Sequence, residues 1–372
     1  ALLSPANEVI DYFWRHAGSQ RMPGSILNDG TLGTDQALFP TAGLAIVPER
    51  HPDQVRLILL CQRRNVSRFN HEGQRTQLGS AVVVVANARA PPSRWVYEVR
   101  QIPGTDVWSG WHTAMALTDG SVVSRSPATD SVYIMGEQAT NVTAETSWYL
   151  KREHVVAKVP LASLMRMSVE KMEIFAAAPA AAVGATGGEG RKKEGHWVSY
   201  AETVLQGASQ AEAAKRVRDH TKTLLPSKEG KAKALVMERV GLGYLPGPKL
   251  WFMGDVVSSE DDEEEEEGKR LVLKTAAAIT GPWEDHTVMR LPSEYSTRQY
   301  VCPSLYALPD LARDQEWEAA LGLACLIRGH GARPVQEGRS QLSVQVGHTA
   351  VDVLRVRFHA PAEAVVDAIP TL

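Results

Sequence analysis

Between residues 55 and 160 the apolar positions come in short runs separated by polar and turn-forming residues. Residues 55–62, 80–88 and 95–102 are enriched in β-branched and aromatic side chains, which suit a pleated, half-buried surface. The first contains Val55-Arg-Leu-Ile-Leu-Leu-Cys61 and reads as a buried strand. The third alternates from Trp95 to Ile102, so one of its faces is wet. Shorter strand patterns follow at Thr113–Leu117, Ser121–Ser124 and Ser131–Met135, with Asp119-Gly120 marking a tight hairpin turn. Residues 50–160 therefore predict a mostly antiparallel sheet or sandwich.

Helical spacing is predicted at four places. Ser4 is a good N-cap, Pro5 suits the first helical position, and Val9, Ile10, Phe13 and Trp14 form one stripe that Gly18 ends. Leu161–Phe175 reads as a helix or a helix–strand pair. Residues 199–225 read as helical, with the spacing of a capping box at Ser209 and Glu212, and Ala214, Val217, Thr221 and Leu224 on one face. Trp317, Ala320, Leu321, Ala324 and Ile327 predict a last amphipathic helix. Strand patterns recur at Leu271–Ile279, Gln341–Val346 and Val351–Phe358, and residues 19–54, rich in Gly, Pro, Asn and Asp, read as an extended surface segment. No internal repeat is visible.

The resulting expectation is an α+β fold: a β-rich, mostly antiparallel N-terminal half (residues 1–160, with its leading helix) and a mixed α/β second half (residues 161–372). Two low-complexity insertions interrupt the second half. Ala/Gly-rich residues 176–195 cannot build a core, and residues 258–269 carry eight consecutive acids, Glu260–Glu267, a self-repelling solvated loop.

The acids change the charge picture. The 372-residue chain has 40 Lys+Arg and 43 Asp+Glu, a formal charge of −3, yet without that run it is about +5. Mild basicity of this size is far from the stripe of a dedicated nucleic-acid binder. No apolar run approaches the roughly 20 residues of a membrane span. Cys61, Cys302 and Cys325 form no disulfide framework and no zinc pair, and their usage fits a reducing, intracellular compartment. The start at Ala1 carries no basic n-region, which reads as no signal peptide.

Local motifs for chemistry are sparse. No Walker A loop or nucleophile elbow occurs. Gly241-Leu-Gly243-Tyr-Leu-Pro-Gly247 reads as a turn, since Pro246 spoils a dinucleotide fingerprint. The histidines are scattered, including those of His71-Glu72, Asp285-His286 and His330, so no metal site, cofactor site or catalytic set is assigned. Ser258 and Ser259 stand before the acids as in substrates of acid-directed kinases. His112 is the most suggestive residue: with Trp108 and Trp111 it forms either an aromatic-lined pocket or a packed Trp cluster with a hydrogen-bonded imidazole. Candidate weak RNA contacts are Arg63, Arg64 and Arg68 beside Phe69, Arg191-Lys-Lys193, and Arg355 with Arg357 beside Phe358.

Elimination and the long irregular segments predict a structural assembly subunit packed against copies of itself or other subunits. Its most concrete form is the coat protein of an icosahedral, double-stranded RNA virus, found in the virion. An accessory subunit of a large organellar complex, such as a mitochondrial ribosome, is the alternative within that class. The alternative from another class is an enzyme, a hydrolase or transferase centred on His112.

Overall fold

The computed structural model describes residues 2–3, 9–11, 36–47, 53–69, 75–90, 94–106, 109–117, 130–139, 152–177, 195–222, 224, 240–257, 270–290, 300–307, 312, 314, 316–327, 349–358 and 367–370. Among these residues 58% are strand and 13% helix. The α+β expectation is thereby corrected: the fold is a series of antiparallel β-sheets.

The strands are laid down as meanders, each pairing with the next in the chain. A small pair, β1 (Leu2–Leu3) and β2 (Val9–Asp11), comes first. The first four-stranded sheet holds β3 (Gln36–Ile46), β4 (Arg56–Phe69), β5 (Arg75–Val85) and β6 (Tyr97–Gln101) in that order. A five-stranded sheet holds β7 (Ser109–Leu117), β8 (Ser131–Ala139), β9 (Arg152–Pro160), β10 (Glu173–Ala177) and β11 (Gly195–Ser199). β12 (Gly241–Leu245), β13 (Leu250–Val257), β14 (Arg270–Ala276) and β15 (Glu284–Arg290) form the third. The fourth contains β16 (Tyr300–Ala307), β17 (Glu318–Ile327), β18 (Thr349–Arg357) and β19 (Asp367–Pro370). Each of the four larger sheets is an up-and-down antiparallel meander.

The chain divides into two units. One is Ala1–Leu117 with Val122–Leu225; the other is Pro226–Leu372 with Thr118–Ser121. In the first unit a buried cluster joins the opening two meanders through Ile46, Ile58, Leu60, Val82, Trp111, Ile134 and Val155. β7 is buried along its whole length and lies against β3, β4 and β5.

Three helical turns decorate the second meander. α1 (Leu161–Leu164) leads towards β10, the helix–strand pair that the spacing predicts. A π-helical turn at Ala201–Leu205 precedes α2 (Gln210–His220), whose Ser209 and Glu212 form the expected capping box. The Glu212 carboxylate accepts the Ser209 N–H and hydroxyl, both at 2.8 Å, and these bonds hold it below the usual carboxylate range.

The predicted strands at 55–62, 80–88, 95–102, 113–117, 131–135, 271–279 and 351–358 are strands in large part. Two helices and a loop are corrected. Val9 and Ile10, predicted on a helix, lie in β2. Trp317–Ile327 was expected to be helical, but Glu318–Ile327 is a strand, hydrogen-bonded to β16 and β18 on its two edges. Ala319, Ala320, Leu321 and Leu323 are all buried, so both faces are covered, and an apolar run covered on both faces has no period to read. Residues 36–46, expected as extended surface, form β3, with Leu38 and Ile46 fully inside. Ser121–Ser124, the Asp119-Gly120 turn, Gln341–Val346, most of both insertions and His330 lie outside the described residues.

Ile58 is wholly buried where the two meanders meet. Ile58→Ala should lower stability by about 2–5 kcal/mol, read from the urea midpoint. The capping box supplies a pH prediction. A depressed carboxylate pKa stabilises the start of α2 above the unfolded-state value, and this is lost as pH falls through the folded-state value. Amide protection at the start of α2 should therefore weaken in acid, and Glu212→Gln should remove that pH dependence.

Candidate functional site

The polar groups of the first unit converge on His112 in β7, which is 2% exposed. Its Nδ1 lies 2.8 Å from the Ser80 Oγ of β5, and its Nε2 lies 3.6 Å from the Glu137 carboxylate of β8. Ser80 is fully buried and Glu137 is 3% exposed. A carboxylate beside Nε2 favours the proton on that nitrogen, which leaves Nδ1 as an acceptor for the Ser80 hydroxyl. The Trp111 backbone N–H donates to the same Ser80 Oγ at 3.0 Å, which fits a serine that gives its own proton to the imidazole. Ser80, His112 and Glu137 are thus a hydroxyl, a base and an acid in one chain of contacts. That is the sequence of roles found in nucleophilic catalytic sites.

Three breaks in regular pairing create the space for this group. In β3, Pro40 pairs with Cys61 and Ala42 with Leu60, so Thr41 is bulged. Its hydroxyl donates to Leu60 O at 3.0 Å and also binds the His112 carbonyl. In β5, Gly79 pairs with Arg63 and Gln77 with Arg64, so Leu78 is the extra residue, two before Ser80. In β7, Gly110 pairs with Glu137 but Ala114 with Met135, leaving Trp111, His112 and Thr113 opposite Gly136 alone. Bulges re-aim side chains and release backbone groups, and these three lie in the strands that carry Thr41, Ser80 and His112.

Glycine is required at the centre. A Cβ on Gly110 would lie 2.7 Å from Ser80 Oγ and run into the His112 ring. One on Gly136 would sit 2.6 Å from the Trp111 ring. Gly79 has φ +119°, and its missing Cβ would lie 2.7 Å from Thr105 Oγ1.

Further groups surround this relay. His154 of β9 stands directly opposite Glu137 in the sheet register and is 8% exposed, so two histidines flank one carboxylate. The Ser80 N–H donates to Thr105 Oγ1 at 3.0 Å, and Thr105 Oγ1 donates to Ile102 O at 2.8 Å. Trp111 packs edge-on to Tyr200, whose hydroxyl donates to Pro103 O at 2.6 Å. Burial pushes that hydroxyl's pKa well above its ordinary range, so it is a fixed donor.

Of the residues singled out from sequence, the structure places His112 and Trp111 side by side in the core, and Trp108 lies outside the described residues. Trp111 packs into the apolar cluster while His112 takes the polar contacts. Ser80 and Glu137 were not singled out. Glu137-Gln138, two polar residues closing an otherwise apolar strand and both buried, were the signal for the second.

The arginines are engaged locally. Arg64 binds the Gln62 side chain and lies 5.2 Å from the centre of the Phe39 ring, while Arg63 is half-buried, with its pKa lowered by desolvation. The Arg68 backbone is in β4; its side chain, like Arg191–Lys193, is outside the described residues. Arg355 pairs with Glu318 at 3.7 Å and Arg357 with Asp314 at 3.6 Å. Gly241–Leu245 of the glycine-rich motif is strand β12. Among the described residues no His, Cys, Asp and Glu cluster could hold a metal ion, and no helix is long and apolar enough to cross a membrane.

No protein-family model and no curated protein sequence matches the chain. Solved structures with a similar arrangement include an N-acetylgalactosamine deacetylase from F. plautii in complex with blood group B trisaccharide. It has a TM-score of 0.39 and 12% identity over 89% of this chain and 69% of that one. A Bacillus subtilis levansucrase in complex with oligosaccharides has a TM-score of 0.35 and 8% identity over 92% and 89%. A xylan beta-1,4-xylosidase from Bacillus halodurans has 0.33 and 10% over 89% and 55%. The expectation of a structural assembly subunit, whether coat protein or organellar, is corrected here. Its main support was long irregular sequence, yet residues 36–46 of that sequence are a paired strand.

Gly110→Ala should displace the imidazole from Ser80. The expected loss is about 1–3 kcal/mol in urea unfolding, together with a shift of the His112 ring resonances in NMR spectra.

Proposed function

We propose that the chain is an enzyme of the hydrolase or transferase class, with Ser80 as nucleophile, His112 as base and Glu137 as the acid that orients it. The observation that carries this reading is the Ser80 Oγ–His112 Nδ1 contact of 2.8 Å with a buried carboxylate at the other ring nitrogen.

The step follows from the geometry. Ser80 Oγ attacks an electrophilic carbon of the substrate while its proton passes to His112 Nδ1. Glu137 stabilises the imidazolium so formed. The imidazolium then protonates the leaving group as its bond to that carbon breaks. Water, or a second acceptor hydroxyl, gives its proton to His112 and takes the carbon from Ser80, restoring the serine. Burial supports the chemistry, since charge pairing is stronger away from water. It also means that the relay is reached through an opening motion.

Labelling with a fluorophosphonate probe, followed by peptide mass mapping, tests this reading. Ser80 should be modified in the native protein, and His112→Gln should slow the modification by about 100-fold or more. Chromogenic esters and glycosides that compete with the probe would then narrow the substrate. A folded protein whose Ser80 takes no probe, or takes it equally without the imidazole, makes the relay a structural pin and overturns the reading.

A further inference from the structure

The buried relay has one polar side. The loop between β6 and β7 touches Ser80 from within and α2 from without. Thr105 accepts the Ser80 N–H and lies against Gly79. On the outer side Gln210 uses both ends of its amide, accepting from Gly104 N at 3.2 Å and donating to Thr105 O at 2.9 Å. Arg218 reaches Asp106 at 2.7 Å, and Asp106 in turn accepts the Ser109 N–H at 3.0 Å and the Ser109 hydroxyl at 3.1 Å. Gly104, with φ +74°, lets the loop pass beneath Tyr200.

We propose that Pro103–Asp106, held down by Gln210 and Arg218 of α2, is a strap that controls access to the Ser80–His112 pair. The inference rests on reading that pair as reactive. The physical argument is a comparison of routes. Parting β7 from β3–β5 exposes Trp111, Ile58, Leu60 and Val82, all at most 1% exposed. Lifting the strap at Gly104–Asp106 breaks polar bonds that water replaces, with Ile102 left in the core and Pro103 O held by Tyr200. The Arg218 and Asp106 side chains are already 23% and 27% exposed, so solvent reaches the fastening before it reaches the serine. The strap is the route of lower free energy, and α2 sets how often it lifts.

The Ser80 amide reports the strap directly, because its hydrogen-bond acceptor is on it. In the full chain, Arg218→Gln and Asp106→Asn should each raise Ser80 amide exchange by about five-fold, the scale of one partly exposed ion pair. Gln210→Ala provides a variant without charge change. Lys274→Gln, which loses an exposed pair with Asp285 in the other unit, should leave that exchange unchanged. Fluorophosphonate labelling of Ser80 should rise in step with exchange. Unchanged Ser80 exchange in folded Arg218 and Gln210 variants overturns the strap. Faster exchange with labelling that stays at the native rate overturns its control of access. Faster exchange with Ser80 unlabelled in every form instead overturns the reactive reading and leaves the strap's motion established.

Discussion

A carboxylate and an imidazole buried together must be satisfied by neighbours, because water is not there to do it. That requirement organises the first unit. Glu137 and His112 sit where the first two meanders meet, and regular pairing would fill the space they occupy. The bulges at Thr41, Leu78 and Trp111–Thr113 resolve the conflict by turning backbone and side-chain polar groups inward. Gly79, Gly110 and Gly136 then remove the side chains that would collide. The apolar cluster around Trp111, Ile58 and Val155 excludes water from the group so assembled.

Local composition revealed the strands whose character is local. Val82–Val85 and Leu57–Cys61 are rich in β-branched or bulky apolar residues and are strands. β17 was not legible, because its Ala and Leu residues favour helix by propensity while its position between two paired strands decides the outcome. β3 was hidden by Pro40, Thr41 and Gly43, which read as loop but serve a bulge and a close approach to Leu59.

The site was legible only in part. His112 stood out through its indole neighbours. Ser80 lies 32 residues away and belongs to a strand chosen for its valines, so nothing local marked it. Its proposed role depends on β5 and β7, strands of different sheets, packing against each other, a tertiary fact. Gln210 and Arg218 are further still from recognition, since the loop they bond to, at Gly104–Asp106, is more than a hundred residues away in the chain.

The account stands on the direction of one proton. Long-range nitrogen–proton correlation NMR of the His112 ring reads it directly. Hydrogen on Nε2, with Nδ1 bare and accepting from Ser80, is the result that the geometry predicts. Hydrogen on Nδ1 would make Ser80 an acceptor for two donors, leave its own proton unclaimed, and contradict its role as nucleophile.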